Sequence, residues 1–159
     1  MEPKKTKLYT LCIIQQKEKV LLAMKKRGFG KGKWNGYGGK VEHGETIEEA
    51  AQREIFEEGG INVSHLRKLG INTFDFTGNP VMLEVHVFKA DQFVGEPIET
   101  DEMKPQWFTR DTIPYGEMWK DDPLWLPLFF EDSTFKGYYL FDESGDTILR
   151  SDVSTNVVL

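Results

Sequence analysis

Glu54, Glu57 and Glu58 lie in a segment whose flanking residues spell a helix. Thr46, with Glu49 three residues on, is a capping-box start, and Gly59-Gly60 is a stop, so a helix is expected from Thr46 to about Glu58. Residues spaced i, i+3, i+4 and i+7 share a helix face. Ile47, Ala50 and Ala51 begin an apolar stripe, and Glu54, Glu57 and Glu58 continue it, turning the inward side acidic. An isolated pattern of this kind reads as a solvated acidic face. Here it extends a core-type stripe and follows a glycine-rich loop, and such a conflict between local chemistry and packing marks a functional site. Three crowded carboxylates repel one another and resist ionisation until a cation joins them. All-oxygen ligands suit a hard divalent ion, Mg²⁺ with Mn²⁺ as a substitute, which is commonly shared with substrate phosphates. Arg53 is four residues from both Glu49 and Glu57, a spacing that lets it brace the cluster.

The elements that must position these residues are those of an α+β chain. Residues 8–14 and 19–24 are β-type runs joined through Gln15-Gln16-Lys17-Glu18 as a hairpin. Residues 25–40 hold Gly28, Gly30, Gly32, Gly36, Gly38 and Gly39, a loop whose backbone can approach a ligand closely. Residues 69–76 and 81–90 form a second strand pair across Thr77-Gly78-Asn79-Pro80. A short strand is expected at 106–108, a second helix at 124–130, and closing strands at 135–141 and 147–149. The mixed order of helices and strands implies a mixed sheet.

Bulk properties exclude several classes. A length of 159 residues fits one domain, 1–159, with a core that needs no disulfide. The net charge of −6 argues against binding long nucleic acid through a basic face, but leaves room for a small anionic ligand bound through metal. Cys12, the single cysteine, sits in an apolar run and reads as core in a reducing compartment. The segment 1–7 lacks an apolar signal run and no stretch has the length of a membrane span, so a cytoplasmic protein is expected.

Gly39-x5-Glu45-x7-Arg53-Glu54-x2-Glu57-Glu58-x-Gly60-Ile61 resembles the Nudix box, residues 39–61, at each of its defining positions. The resemblance extends over Lys25-Lys26-Arg27-Gly28-Phe29-Gly30, Lys33-Trp34-Asn35-Gly36, Val85-His86-Val87-Phe88, Asp101-Glu102-Met103 and Met118-Trp119-Lys120-Asp121-Asp122, which are similar to animal MutT-type members of the Nudix hydrolase family. It implies the Nudix fold, a mixed β-sheet sandwiched between α-helices. It further implies Mg²⁺-dependent hydrolysis of oxidised purine nucleoside triphosphates such as 8-oxo-dGTP and 2-oxo-dATP to monophosphate and pyrophosphate. Nuclear and mitochondrial pools beside the cytoplasmic one follow from the resemblance alone, and a monomer is expected.

Carried onto this sequence, the resemblance implies a metal set of the Gly38 carbonyl, Glu54, Glu57, Glu58 and Glu102. Glu58 and Glu102 both stand as general-base candidates, with Arg53 beside them, and another carboxylate acting through water stays open. Asn35, Asp121 and Asp122 offer amide and carboxyl groups to a purine edge, and Trp119 and Phe29 offer stacking faces. Thr10, Lys25, Tyr37, Gly38, Gly39, Lys40, Phe74, Leu83 and Lys120 complete the expected substrate contacts, with Leu11, Phe76, Met103, Trp125 and Phe141 as further lining. Leu83 departs from the methionine of mammalian members, a change that bears on base preference. The competing readings are a Nudix hydrolase of another nucleoside diphosphate derivative and a non-catalytic nucleotide-binding module.

Overall fold

Alternation along the strands gives the sheet two apolar faces. Leu11, Ile13, Val20, Leu22 and Val87 share one core with Trp125, Leu126 and Phe129 of the second helix. Their neighbours Cys12, Ile14, Leu21, Ala23 and Phe88 share the other with Ala51 and Ile55 of the first. A strand with both faces buried is nearly continuously apolar, which is why residues 11–14 read Leu-Cys-Ile-Ile. The sheet is sandwiched between helices, as expected.

The structure, a computed structural model, describes residues 3–159, so Met1 and Glu2 of the segment read for a targeting signal lie outside it. The strands are β1 Lys5–Gln16, β2 Lys19–Lys25, β3 Trp34–Asn35, β4 Arg67–Phe76, β5 Val81–Ala90, β6 Met103–Thr109, β7 Phe135–Phe141 and β8 Ile148–Thr155. The helices are α1 Ile47–Gly59 and α2 Asp122–Phe130. Sheet order is β3-β2-β1-β5-β4-β7-β8, with β6 also paired to β2. The β1–β5 and β4–β7 pairs are parallel and the others antiparallel. Among the described residues no helix is long and apolar enough to cross a membrane.

The expected hairpin between β1 and β2 is paired only near its turn, from Ile14↔Leu21 to Gln16↔Lys19. Beyond that the strands part. β1 runs parallel to β5, while β2 pairs with β6 along its whole length. Into the gap the chain inserts residues 36–40, held to β1 by the bridges Tyr9↔Lys40 and Cys12↔Tyr37.

Other boundaries differ as well. Trp34–Asn35, read as loop, is a short strand on β2. β6 and β8 are longer than expected, because regular pairing along β2 and β7 carries polar residues that show little strand patterning. α2 begins two residues earlier than expected, with Pro123 in its first turn, which puts Asp122 at its N-terminus. Its far end is tied to the sheet by Lys89 of β5, whose buried Nζ donates to the Phe129 carbonyl at 2.7 Å and to Asp132 at 2.8 Å.

Candidate functional site

The inserted segment brings Gly36, Gly38 and Gly39 against β1. The Thr10 amide donates to the Gly39 carbonyl at 2.8 Å, and Cys12 and Tyr37 exchange backbone bonds. Side chains have no room in this contact: a Cβ on Gly36 would lie 2.5 Å from the Cys12 carbonyl oxygen, and one on Gly38 only 1.9 Å from that of Thr10. A Cβ on Gly39 would lie 2.5 Å from the Glu54 carboxylate. The loop is therefore glycine-rich because it is pressed flat between a strand and a helix carrying acids.

That helix starts and stops as expected. Thr46 accepts from the Glu49 amide, Glu49 accepts from the Thr46 amide, and Gly60 caps the other end at φ 70° with its N–H on the Phe56 carbonyl. Its buried stripe is Ala50, Ala51, Ile55, Glu58 and Gly59. Glu54 flanks that stripe, whereas Glu57, expected on it, has a side chain 55% exposed. One helical turn above Ala51 falls between Glu54 and Ile55, and Ile55 takes the inward place.

Glu58 is the carboxylate that goes inside. It is 7% exposed and accepts the Gly38 N–H at 2.9 Å. Burial pushes its pKa up to about 7; the charges of Glu54 and Glu102 push the same way, against the Gly38 N–H and Lys25. Glu54 is also raised, chiefly by burial and against the pull of Arg53.

Arg53 does not reach the cavity. Its Nε and Nη2 donate to Glu45, Nη1 to Glu54 at 2.9 Å and Glu57 at 3.2 Å, and Nη2 also to the Lys40 carbonyl at 3.0 Å. Arg53, expected among the catalytic residues, thus ties loop to helix from outside the cavity lining. Glu102 immediately precedes β6 and pairs with Arg27 at 2.6 Å, which holds its carboxyl below the usual range. With Glu54 and Glu57 turned to Arg53, Glu102 to Arg27 and Glu58 to the Gly38 N–H, the four do not form a closed ligand cluster; among the described residues no group of three acids or other metal ligands does.

A cavity of about 240 Å³ extends from Asp122 and Trp125 of α2 to Glu58 of α1. Of the expected residues, Thr10, Lys25, Phe29, Asn35, Gly38, Gly39, Glu58, Phe74, Leu83, Trp119, Asp121 and Asp122 line it, as do Leu11, Phe76, Met103, Trp125 and Phe141. Three do not. Tyr37 is buried in the α1-side core, with its ring against Gly59. Lys40 and Lys120 are exposed and outside the lining. Alternation explains Tyr37: the loop runs as an extended bridge on β1, so the Tyr37 side chain points away from the side that Gly38 opens.

At the mouth Phe29 is 71% exposed and packs against Trp119 with centroids 5.0 Å apart. Lys33 lies over the Trp119 ring at 5.1 Å. Asp121 and Asp122 are both 2% exposed at the head of α2. Trp125 Nε1 donates to Asp121 Oδ2 at 2.7 Å, favouring charge on Asp121. Burial raises Asp121 to about 6; burial and then the Asp121 charge raise Asp122 well above the ordinary range. A protonated Asp122 beside an ionised Asp121 gives the cavity one donor and one acceptor carboxyl.

This pair carries a stability prediction. Both carboxyls keep protons in the folded chain where an unfolded aspartate has lost them, so their contribution is greatest at acid pH. It is lost as pH rises from 3.8 through about 6 for Asp121 and beyond for Asp122, at about 1.4 kcal/mol per pH unit for each proton taken up on folding. The Asp121→Asn/Asp122→Asn variant lacks this loss, so its Tm relative to wild type climbs across that window. A parallel pair of Tm curves would refute the assignment.

The NUDIX domain profile matches residues 5–129. The chain belongs to the NUDIX family. It is 54% identical over 136 residues to the oxidized purine nucleoside triphosphate hydrolase of Danio rerio, covering 86% of this chain and 87% of that one. To the protein of the same name from Mus musculus it is 50% identical over 144 residues, covering 91% and 92%. Among solved structures, the MutT protein of Bacillus halodurans superposes with a TM-score of 0.81 at 27% identity, covering 92% of this chain and 97% of that one. NUDIX hydrolases act with a divalent metal, and the donor set fits one: oxygens only, two of them on carboxyls whose pKa values burial raises.

Sequence reading missed Asn72, Tyr9 and Val85, which also line the cavity. Glu45, seen only as a motif position, proves to be the bidentate partner of Arg53. Strand patterning offered no signal for Asn72, since a lone asparagine in a strand reads as solvent-facing.

Proposed function

We propose that this NUDIX protein hydrolyses oxidised purine nucleoside triphosphates, 8-oxo-dGTP and 2-oxo-dATP among them, to the monophosphate and pyrophosphate. The observation that carries the reading is that one cavity joins the buried Asp121–Asp122 pair to the buried Glu58 carboxylate and the Gly38–Gly39 backbone. A base and a phosphate chain can therefore be held at the two ends of a single site. The zebrafish and mouse relatives, both named for this activity, support it over most of their length.

The base lies between the Phe29–Trp119 wall and the strands carrying Phe74 and Leu83, with Asn35, Asp121 and Asp122 at its edge. Lys25 faces the phosphates. The Gly38 carbonyl, Glu54, Glu57, Glu58 and Glu102 would hold Mg²⁺ once Glu54, Glu57 and Glu102 turn from the arginines they now face, and when bound it would supply neutralisation of phosphate charge and acidification of water. Glu58 takes the proton of the attacking water; it is the one carboxylate of the expected metal set that lines the cavity. Attack at the β-phosphorus breaks its bond to the α–β bridging oxygen, so the nucleoside monophosphate is the leaving group and the water oxygen ends in pyrophosphate. The chain works as one domain and as a monomer, on the cytoplasmic nucleotide pool.

The test is pyrophosphate release from 8-oxo-dGTP, 2-oxo-dATP, dGTP and dATP, with Mg²⁺ and with EDTA. EDTA abolishes activity, and the oxidised pair is preferred by at least about tenfold in kcat/KM, the worth of one well-made hydrogen bond. Equal rates on all four would keep the hydrolysis and overturn the substrate.

A further inference from the structure

The floor of the cavity holds a polar pair with incomplete hydrogen bonding. Asn72 on β4 is 1% exposed and lines the cavity. Its Oδ1 accepts from the hydroxyl of Tyr139 on β7, which is fully buried, at 3.2 Å. Gly137 makes the room, since a Cβ there would stand 2.4 Å from the Tyr139 hydroxyl oxygen and 2.6 Å from Asn72 Oδ1. Tyr139 is stacked on Phe74 with centroids 5.4 Å apart, so the phenol is fixed in place.

The buried phenol proton needs an acceptor, and Asn72 Oδ1 provides it. That orients the carboxamide and leaves Nδ2 with no partner. Buried amide nitrogens are rarely left so in native interiors, and an orphan in a cavity lining calls for a ligand. The second orphan in the same lining is Asp122 Oδ2. An apolar pair would fill the floor with neither cost, as the neighbouring Phe74, Phe76 and Phe141 do.

We propose that Asn72 is a base-recognition residue, whose Nδ2–H donates to an acceptor on the bound purine, a ring nitrogen or a carbonyl oxygen. The proposal rests on the purine triphosphate reading above and deepens it. Purines differ in where they carry acceptors and donors, so a fixed donor discriminates among them. Unlike the two aspartates, whose donor capacity depends on a shared proton, an amide donates at every pH. Tyr139 is a positioning residue that sets the amide.

The test pairs Asn72→Leu with Asn72→Leu/Tyr139→Phe, the second leaving no orphan hydroxyl. Each is assayed with 8-oxo-dGTP and with analogues in which N1, N3, N7 or an exocyclic oxygen is replaced by C–H or H. One replacement is expected to cost wild type about tenfold in kcat/KM, mainly through KM. In the variants that penalty disappears while the others stay. Identical penalties in wild type and both variants, with only Tm altered, would overturn the role. If wild type releases no pyrophosphate from oxidised purine triphosphates, the proposed function fails. Calorimetric binding of the same analogues as monophosphates then decides Asn72 by the same comparison.

Discussion

Glu58→Gln is expected to lower kcat by about a thousandfold, the scale of a lost general base, while nucleotide binding changes by less than about threefold. The substitution isolates chemistry from architecture. A glutamine oxygen can still accept the Gly38 N–H, now made at 2.9 Å by the carboxylate, so the loop keeps its tether. The neutral amide also relieves the desolvation that pushes the Glu58 carboxyl up to about 7, so the variant is expected to be at least as stable as wild type at neutral pH. What disappears is a proton acceptor poised in the cavity lining and one negative charge of the proposed metal set. Rapid-quench turnover and calorimetry with a nucleoside monophosphate separate the two quantities; equal losses in both would assign Glu58 to binding. Glu102→Gln is the companion measurement. Its carboxyl is held below the usual range by Arg27, which makes it the weaker base, and its loss of turnover is expected to be the smaller.

The helix bearing these acids was legible in the sequence down to its caps, because caps and glycine stops act through local backbone chemistry. The helix face was less so. A spacing rule treats Glu54, Glu57 and Glu58 alike, yet packing puts Ile55 inward, buries Glu58 and leaves Glu57 half in solvent. The parting of β1 from β2 was not legible either. Their runs look like an ordinary hairpin, and only the competing partners, β5 for one and β6 for the other, decide where pairing ends. Tyr37 was misplaced for that reason, since its direction follows from an extended bridge that no periodicity in a glycine loop announces. Asn72 was invisible because its environment is made by Gly137 and Tyr139, which lie more than sixty residues away along the chain.

Gly38→Ala is expected to lower kcat/KM by at least about a hundredfold, even in molecules that remain folded. The new Cβ would stand 1.9 Å from the Thr10 carbonyl oxygen and 2.7 Å from its carbon, and both are backbone atoms of a strand buried between β5 and the loop. Neither can turn aside as a flexible side chain would, so residues 36–40 must lift off β1. The lift moves the Gly38 N–H away from Glu58 and the Gly39 carbonyl away from the Thr10 amide. A displacement of roughly 1 Å at a reacting group is enough for a hundredfold loss, and overpacking against fixed neighbours costs about 1–3 kcal/mol of stability. Gly116→Ala serves as the control, since a Cβ there meets nothing within 4 Å; its Tm and kcat/KM are expected to match wild type. Full activity in Gly38→Ala would mean that the loop need not lie flat on β1, and that the contact joining it to Glu58 does not govern turnover.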